Sequence, residues 1–317
     1  MGLGGNDNLI GGGGDDNVDG GAGTDTLRAG VDDGNDVYAG GAGSDTYDLA
    51  LTAAAATVNL STGSSASAQT GSDTLSGIEN VNGSSGDDSI TDGAGSNALD
   101  GNAGNDRFIL TIDNARDTVD GGAGTSDTGD YSAFLTNLSV TLGTNVLVTG
   151  SGNTNANSDL ITNIENFIGG AGNDTLTGNA SANQLTGGAG NDTLSGGTGA
   201  DQLTGGAGRD VFDYNATNES AVGAAVRDVI ADFLSGTDRL DFATIDANTG
   251  AGGNQAFAWN ATAGGAFTGA GQLIYRYETV GGVEYTVLEG NVNANLAADF
   301  QVALLGRHTL QAADLVL

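Results

Sequence analysis

A nine-residue unit that returns in register constrains this chain more than any other feature. GGAGNDTLS, GGTGADQLT and GGAGRDVFD follow one another without a break over residues 187–213. Each fits G-G-x-G-x-D-x-U-x, where U is a large apolar residue. Glycines at the first, second and fourth positions permit a tight turn with positive φ and let backbone carbonyls crowd inward. The Asp at the sixth position adds a carboxylate to that ring of carbonyls, the all-oxygen surrounding that Ca²⁺ prefers. The last three residues form a short strand whose middle residue, Leu194, Leu203 or Phe212, points into a thin core. Two units make one coil, so the pattern predicts an all-β parallel β-roll or β-helix solenoid.

The repeats fall into three arrays. The first, 1–48, carries Asp7, Asp16, Asp25, Asp36 and Asp45 at the ligand position, with a degenerate turn at 31–39 after a short insertion. The second, 83–130, keeps Asp88, Asp106 and Asp127, but its units 92–100 and 112–120 lose several glycines, so its metal sites are expected to be incomplete. The third, 169–213, is nearly ideal: it offers Asp174, Asp192, Asp201 and Asp210, and Asn183 replaces the acid in one turn. The cage there is expected to include Gly170, Gly172, Gly188, Gly190, Gly197, Gly199, Gly206 and Gly208. With ions between alternate turns, the chain would hold roughly six to nine Ca²⁺.

Two inserts, 49–82 and 131–168, separate the arrays and resemble each other. Ile78-Glu79-Asn80-Val81 is echoed by Ile164-Glu165-Asn166-Phe167 at a distance of 86 positions, which points to duplication of a larger unit. Alternating apolar and polar residues predict strands that continue the solenoid as longer, metal-free coils. A flexible linker is the competing reading, because 61–71 is of low complexity. From residue 214 to 317 glycine thins and aromatic residues gather, among them Phe242, Phe257, Trp259, Tyr275 and Phe300, as expected of a β-rich cap that ends a solenoid. Within it, Leu273 to Glu278 and Val283 to Leu288 flank Gly281-Gly282, a β-hairpin signature.

The charge balance decides what such a chain can do. Of 317 residues 57 are Gly, none is Pro or Cys, and the formal net charge is −32. Low hydrophobicity with a charge this large ordinarily predicts disorder, and bound cations would reverse it. Lysine is absent and eight arginines are scattered singly, which argues against a nucleic acid or an anionic membrane as partner. No apolar run is long enough to span a bilayer. Residues 1–14 have neither the basic segment nor the apolar run of a signal peptide. Absence of cysteine suits a bacterial protein exported unfolded.

These repeats resemble those of RTX exoproteins, and the tail resembles the C-terminal domain of serralysin-type metalloproteases. The residues that carry the second likeness are Asp228-Val229-Ile230-Ala231-Asp232-Phe233, Gly236-Thr237-Asp238-Arg239-Leu240-Asp241, Gly265-Ala266-Phe267-Thr268-Gly269 and Ala298-Asp299-Phe300. The resemblance implies calcium between neighbouring turns of a parallel β-roll and export by a type I ABC secretion system that reads an uncleaved C-terminal signal. Asp314-Leu315-Val316-Leu317 is similar to the acidic-plus-apolar end of that signal; read structurally, it is a last strand of the cap. One departure stands out. Where the family commonly has an Asp-rich loop before Ala-Asp-Phe, this chain has Gly290-Asn291-Val292-Asn293-Ala294-Asn295, which puts a calcium site there in doubt.

Catalysis has little to work with. A zinc helix of the H-E-x-x-H kind needs two histidines, and His308 is the single one. There is no Cys nucleophile and no Lys for a phosphate loop, and His308 reads as a structural residue of the cap. The sequence therefore points to a secreted, extracellular, non-enzymatic calcium-binding solenoid whose ions order it after export. Two other readings stay open. Met1 falls inside a repeat phase, which suggests the noncatalytic C-terminal part of a larger exoprotein such as a protease or lipase. A cell-surface or S-layer component that self-assembles through its calcium-bound solenoid also fits.

Overall fold

The computed structural model describes residues 2–113, 115–143, 145–150 and 158–317; part of the second insert, 151–157, lies outside them. The chain divides into two units. One comprises Met1–Phe134 with Gly143–Asn166, the other Leu135–Leu142 with Phe167–Leu317. Apart from one 3₁₀ turn, Ala312–Asp314, every regular element among the described residues is a strand.

In the first unit, strands of three to seven residues stack in parallel along two sides of a roll. On one side Leu9, Leu27, Tyr47, Val81, Leu99, Val119 and Ile161 are successive register partners. On the other, Val18, Tyr38 and Leu75 form one run, and Val58, Ile90, Phe108 and Gly129 another. Apart from the unit of Gly129, which has no side chain, each of these core positions carries an apolar side chain, and the shared register stacks them directly on one another. Buried apolar contact between neighbours is the stabilising term.

The first insert does more than lengthen a coil. Ala56–Asn59, Ser64–Ser67 and Gly71–Ser76 form an antiparallel meander whose outer strands stack in parallel on the coils before and after it. The low-complexity stretch thus contains a strand, with Ser65 buried, because alternating small residues fit a half-buried strand as well as they fit a linker.

In the second unit Val140, Leu176, Leu194, Phe212, Leu240 and Leu315 stack in parallel, and opposite them Phe167, Leu185, Leu203, Ile230 and Leu304. The expected core residues Leu194, Leu203 and Phe212 are fully buried. The cap then switches to antiparallel pairing: Phe300–Leu305 pairs with Val283–Asn291, which pairs with Gln272–Val280. Val280 and Val283 are partners across a two-residue turn in which Gly281 and Gly282 have φ of 61° and 87°, the left-handed pair that such hairpins require. Phe300 packs against Phe242 and Phe257 beneath this sheet. The chain end, Leu315–Val316, is a strand parallel to Arg239–Asp241.

Candidate metal centres

The aspartates expected as ligands form hydrogen-bonded ladders along both edges of each roll. In the second unit, the backbone N–H of Asp174 donates to Oδ1 of Asp192 at 2.7 Å, that of Asp192 to Asp210 at 2.9 Å, and that of Asp210 to Asp238 at 3.1 Å. On the other edge Asn183 donates to Asp201 and Asp201 to Asp228. The first unit repeats this with Asp7 to Asp25 to Asp45, Asp16 to Asp36 to Asp73, and Asp88 to Asp106 to Asp127. Oδ1 is therefore committed to holding the coils in register.

Oδ2 is not. At Asp25, Asp45, Asp106, Asp127, Asp192, Asp201 and Asp210 it is buried with no hydrogen-bond partner. An unpaired carboxylate oxygen in that position is costly. What surrounds it explains the glycines. A Cβ on Gly20 would meet Asp25 Oδ2 at 2.5 Å and the Gly40 carbonyl at 2.6 Å, and one on Gly187 would collide with Asp192 Oδ2 and approach the Gly205 carbonyl at 2.7 Å. The first glycine of the repeat is thus demanded by a convergence of oxygens and not by positive φ. The second and fourth positions do need it, with Gly188 at 112° and Gly190 at 132°, and so do Gly197, Gly199, Gly206 and Gly208. Gly170 and Gly172 do not share that conformation, although their carbonyls face the backbone of Gly188 and Gly190 one coil on.

Burial pushes the carboxyl pKa of Asp127, Asp192 and Asp201 up to about 6, and that of Asp106 up to about 7. Such groups hold protons or need a cation. A hard divalent ion beside Oδ2 and the glycine carbonyls satisfies both the stray oxygen and the charge, so the residues present fit Ca²⁺. Among the described residues no three His, Cys, Asp or Glu side chains gather to hold a metal, so each turn has to supply its oxygens largely from backbone.

The other expected ligands are placed differently. Asp36 Oδ2 accepts the Tyr38 hydroxyl at 2.9 Å; Asp88 accepts from the Ala56 and Ser84 backbone N–H groups and the Ser84 hydroxyl; Asp174 accepts from Leu138 and Gly170. Both oxygens of each of these carboxylates already accept a hydrogen bond from within the protein. Asp7 and Asp16 stand half-buried in the first coil. Asn97, in a ligand position, turns its amide N–H to the Glu79 carbonyl at 2.6 Å, a donor where a ligand would need a lone pair.

Two features escaped the sequence reading. The residue before the ligand Asp builds a second ladder of opposite polarity, in which Asn191 N–H donates to Asn173 Oδ1 and Arg209 N–H to Asn191 Oδ1, at 2.7 and 2.9 Å. The recurrence of Asn or Asp at that position was its signal. Glu79 and Glu165, recognised only as equivalent, each end a ladder by accepting the N–H of Asp45 or Asp127 at 2.9 and 3.0 Å. His308 pairs a ring nitrogen with the Leu305 carbonyl and sets its edge against Phe233, a structural placement. In the Asn-rich loop, Asp299 accepts from Val292 N–H and from Asn293, closing the loop through side chains.

Residues 112–317 match the family described as Peptidase M10 serralysin C terminal. The chain belongs to that family. Residues 1–33, 31–47 and 73–108 match the RTX calcium-binding nonapeptide repeat, so the chain carries calcium-binding RTX repeats in its first array and in the first part of its second. Neither match is to a catalytic domain. Proteins of this type are extracellular and exported by type I systems. Among the described residues no helix is long and apolar enough to cross a membrane. Among solved structures, the chain is similar to the AlgE6R3 subunit of the Azotobacter vinelandii mannuronan C5-epimerase, at 28% identity over 48% of this chain and 76% of that one, with a TM-score of 0.35. The AlgE6R2 subunit of the same enzyme gives 25% identity, 48% and 80% coverage, and a TM-score of 0.31. The extracellular lipase LipA from Serratia marcescens gives 18% identity over 75% of this chain and 39% of that one, with a TM-score of 0.24. No curated protein matches the chain.

Proposed function

We propose that this chain is a secreted RTX β-roll in which calcium is the folding ligand: a type I ABC exporter passes it unfolded, and external calcium orders it. The observation that carries the reading is the set of buried Asp Oδ2 atoms without a partner, seven at expected ligand positions and an eighth at Asp228. Ligation falls to Asp25, Asp45, Asp106, Asp127, Asp192, Asp201 and Asp210, with the neighbouring glycine carbonyls completing the cage. Asp36, Asp88 and Asp174 serve the register of the coils. The organisation that follows is array at 1–48, insert at 49–82, degenerate array at 83–130, insert at 131–168, array at 169–213 and cap at 214–317. Far-ultraviolet circular dichroism of the full chain is expected to show mostly disorder in chelator and β-structure in millimolar calcium. A full β-spectrum in chelator, unchanged by calcium, overturns the reading.

A second reading is favoured by the family itself, which describes the C-terminal domain of a peptidase. In it, the same calcium-ordered roll serves as the folding and export module of a larger exoprotein. An open reading frame encoding a catalytic domain immediately upstream decides for it.

A further inference from the structure

In each insert one rung of the ladders has its second oxygen closed by a phenol, as Tyr38 closes Asp36 in the first array. Asp73 and Asp159 lie in the two inserts, 86 positions apart. Both continue a ladder: Asp73 Oδ1 accepts Asp36 N–H and Asp159 Oδ1 accepts Asp117 N–H, each at 3.0 Å. Their Oδ2 atoms receive a phenolic hydroxyl, from Tyr47 at 2.6 Å and from Tyr131 at 3.1 Å. Both tyrosines are wholly buried, and both carboxyls are more than nine-tenths buried. The rings have room for a reason legible in the register. Tyr47 itself occupies a core position between Leu27 and Val81, and Tyr131 follows Gly129, which leaves its own core position empty opposite Phe108. An O–H donated to a carboxylate is among the stronger hydrogen bonds and requires no ion.

We propose that Tyr47 and Tyr131 are built-in surrogates for calcium, closing the insert rungs with a hydroxyl so that the coils carrying the inserts hold in the absence of the ion. The proposal deepens the calcium reading and rests on it. Its consequence is directional. Each closed rung leaves a formed strand edge beside an array, and in a stack where every coil contacts only its neighbours, ordering propagates from such an edge without a fresh nucleus. Calcium then extends the roll instead of starting it.

Hydrogen exchange with peptide resolution on the full chain tests this. In chelator, wild-type amides of Ala56–Asn59 and Gly71–Ser76 are expected to exchange well behind those of Gln184–Ala189 and Gln202–Ala207. Tyr47→Phe, which keeps the ring, is expected to speed exchange in the first insert about tenfold to a hundredfold, the loss of one hydrogen bond to a buried carboxylate. Millimolar calcium should restore protection by stabilising the neighbouring coils. Tyr131→Phe tests the second insert independently at Asp159–Thr162. Equal exchange of inserts and third array in wild-type chelator samples, or no change in either variant, overturns the surrogate role, and so does loss of structure that calcium cannot restore. Failure of the calcium reading looks different: the third array would be protected with and without calcium.

Discussion

Asp192→Asn separates the two jobs that the ladder gives a carboxylate. The amide keeps an oxygen for the Asp174 N–H, which Asp192 Oδ1 accepts at 2.7 Å, so the coil register survives. It removes the charge that Oδ2 places beside the Gly205 carbonyl. With free calcium tenfold above the dissociation constant, one site contributes about 1.4 kcal/mol, and its loss is the expected destabilisation in calcium. In chelator the sign reverses. Burial holds the Asp192 carboxyl at about 6, so at neutral pH the wild type buries an ionised group that the amide does not, and the variant should be the more ordered of the two. Asp192→Ala has no such compensation. It also strands the Asp174 N–H, an added cost of about 1–3 kcal/mol in either condition. Thermal melts and calcium titrations followed by far-ultraviolet circular dichroism, in chelator and in excess calcium, read all four values. If the Asn variant loses stability equally in both conditions, Oδ2 plays no part in ligation and the carboxylate is only a hydrogen-bond acceptor.

Protons are expected to replace calcium in part. Because burial raises the carboxyls of Asp106 and Asp117 to about 7 and those of Asp127 and Asp201 to about 6, the calcium-free folded form binds more protons than the unfolded chain between about pH 4 and 7. Its stability is present below the unfolded carboxyl pKa and is lost as pH rises through those values, so spectra in chelator should gain β-structure towards about pH 5; a flat profile refutes this. Asp201→Ala should weaken calcium binding and lower the melting temperature of the loaded protein by more than Asn97→Ala, since Asn97 already points a donor at the Glu79 carbonyl; equal titrations of the two variants contradict the ligand assignment. Magnesium, with its smaller octahedral shell, should fail to order the chain at concentrations where calcium succeeds, as the same spectra would report. Removing residues 314–317 should abolish export through a type I system and also loosen the cap, because Leu315–Val316 completes a sheet; normal secretion of the truncated chain rules out the tail as an essential signal.

How much was legible depended on whether a residue acts alone or through a partner far away in sequence. The nonapeptide spells out its own turn, ligand and core residue, so the stacking of Leu185 on Leu203 and of Leu194 on Phe212 could be read directly. The hairpin at Gly281-Gly282 was equally local. What the repeat does not encode is which carboxylates are already satisfied. Asp88 looks like any other ligand until Ser84, standing where a glycine would be, supplies both a hydroxyl and an N–H to it. Asp36 looks complete until the Tyr38 hydroxyl arrives. Only the middle strand of the first insert's meander, Ser64–Ser67, was hidden, because Ser and Ala give a period-two strand almost no hydrophobic contrast.

Asp314 is asked to do two things that one state of the chain cannot combine. As part of an export signal it has to be accessible; in the folded cap it is fully buried and accepts hydrogen bonds from the Ser235 hydroxyl and the backbone of Gly236 and Gln311. Both roles are compatible only if they are separated by a folding event, and the proposed ordering by calcium would supply one. Extracellular calcium modules bind with dissociation constants of about 10⁻⁴ to 10⁻³ M, so sites that are empty in a cytosol far below that range fill at millimolar concentrations outside. An unfolded chain carrying a formal charge of −32 repels itself and keeps its tail exposed. Each divalent ion that enters an array cancels two of those charges while it satisfies an unpaired carboxylate oxygen, so neutralisation and ordering proceed together. The last strand then closes on Arg239–Asp241, and if residues 314–317 carry the export signal proposed above, folding withdraws that signal into the sheet.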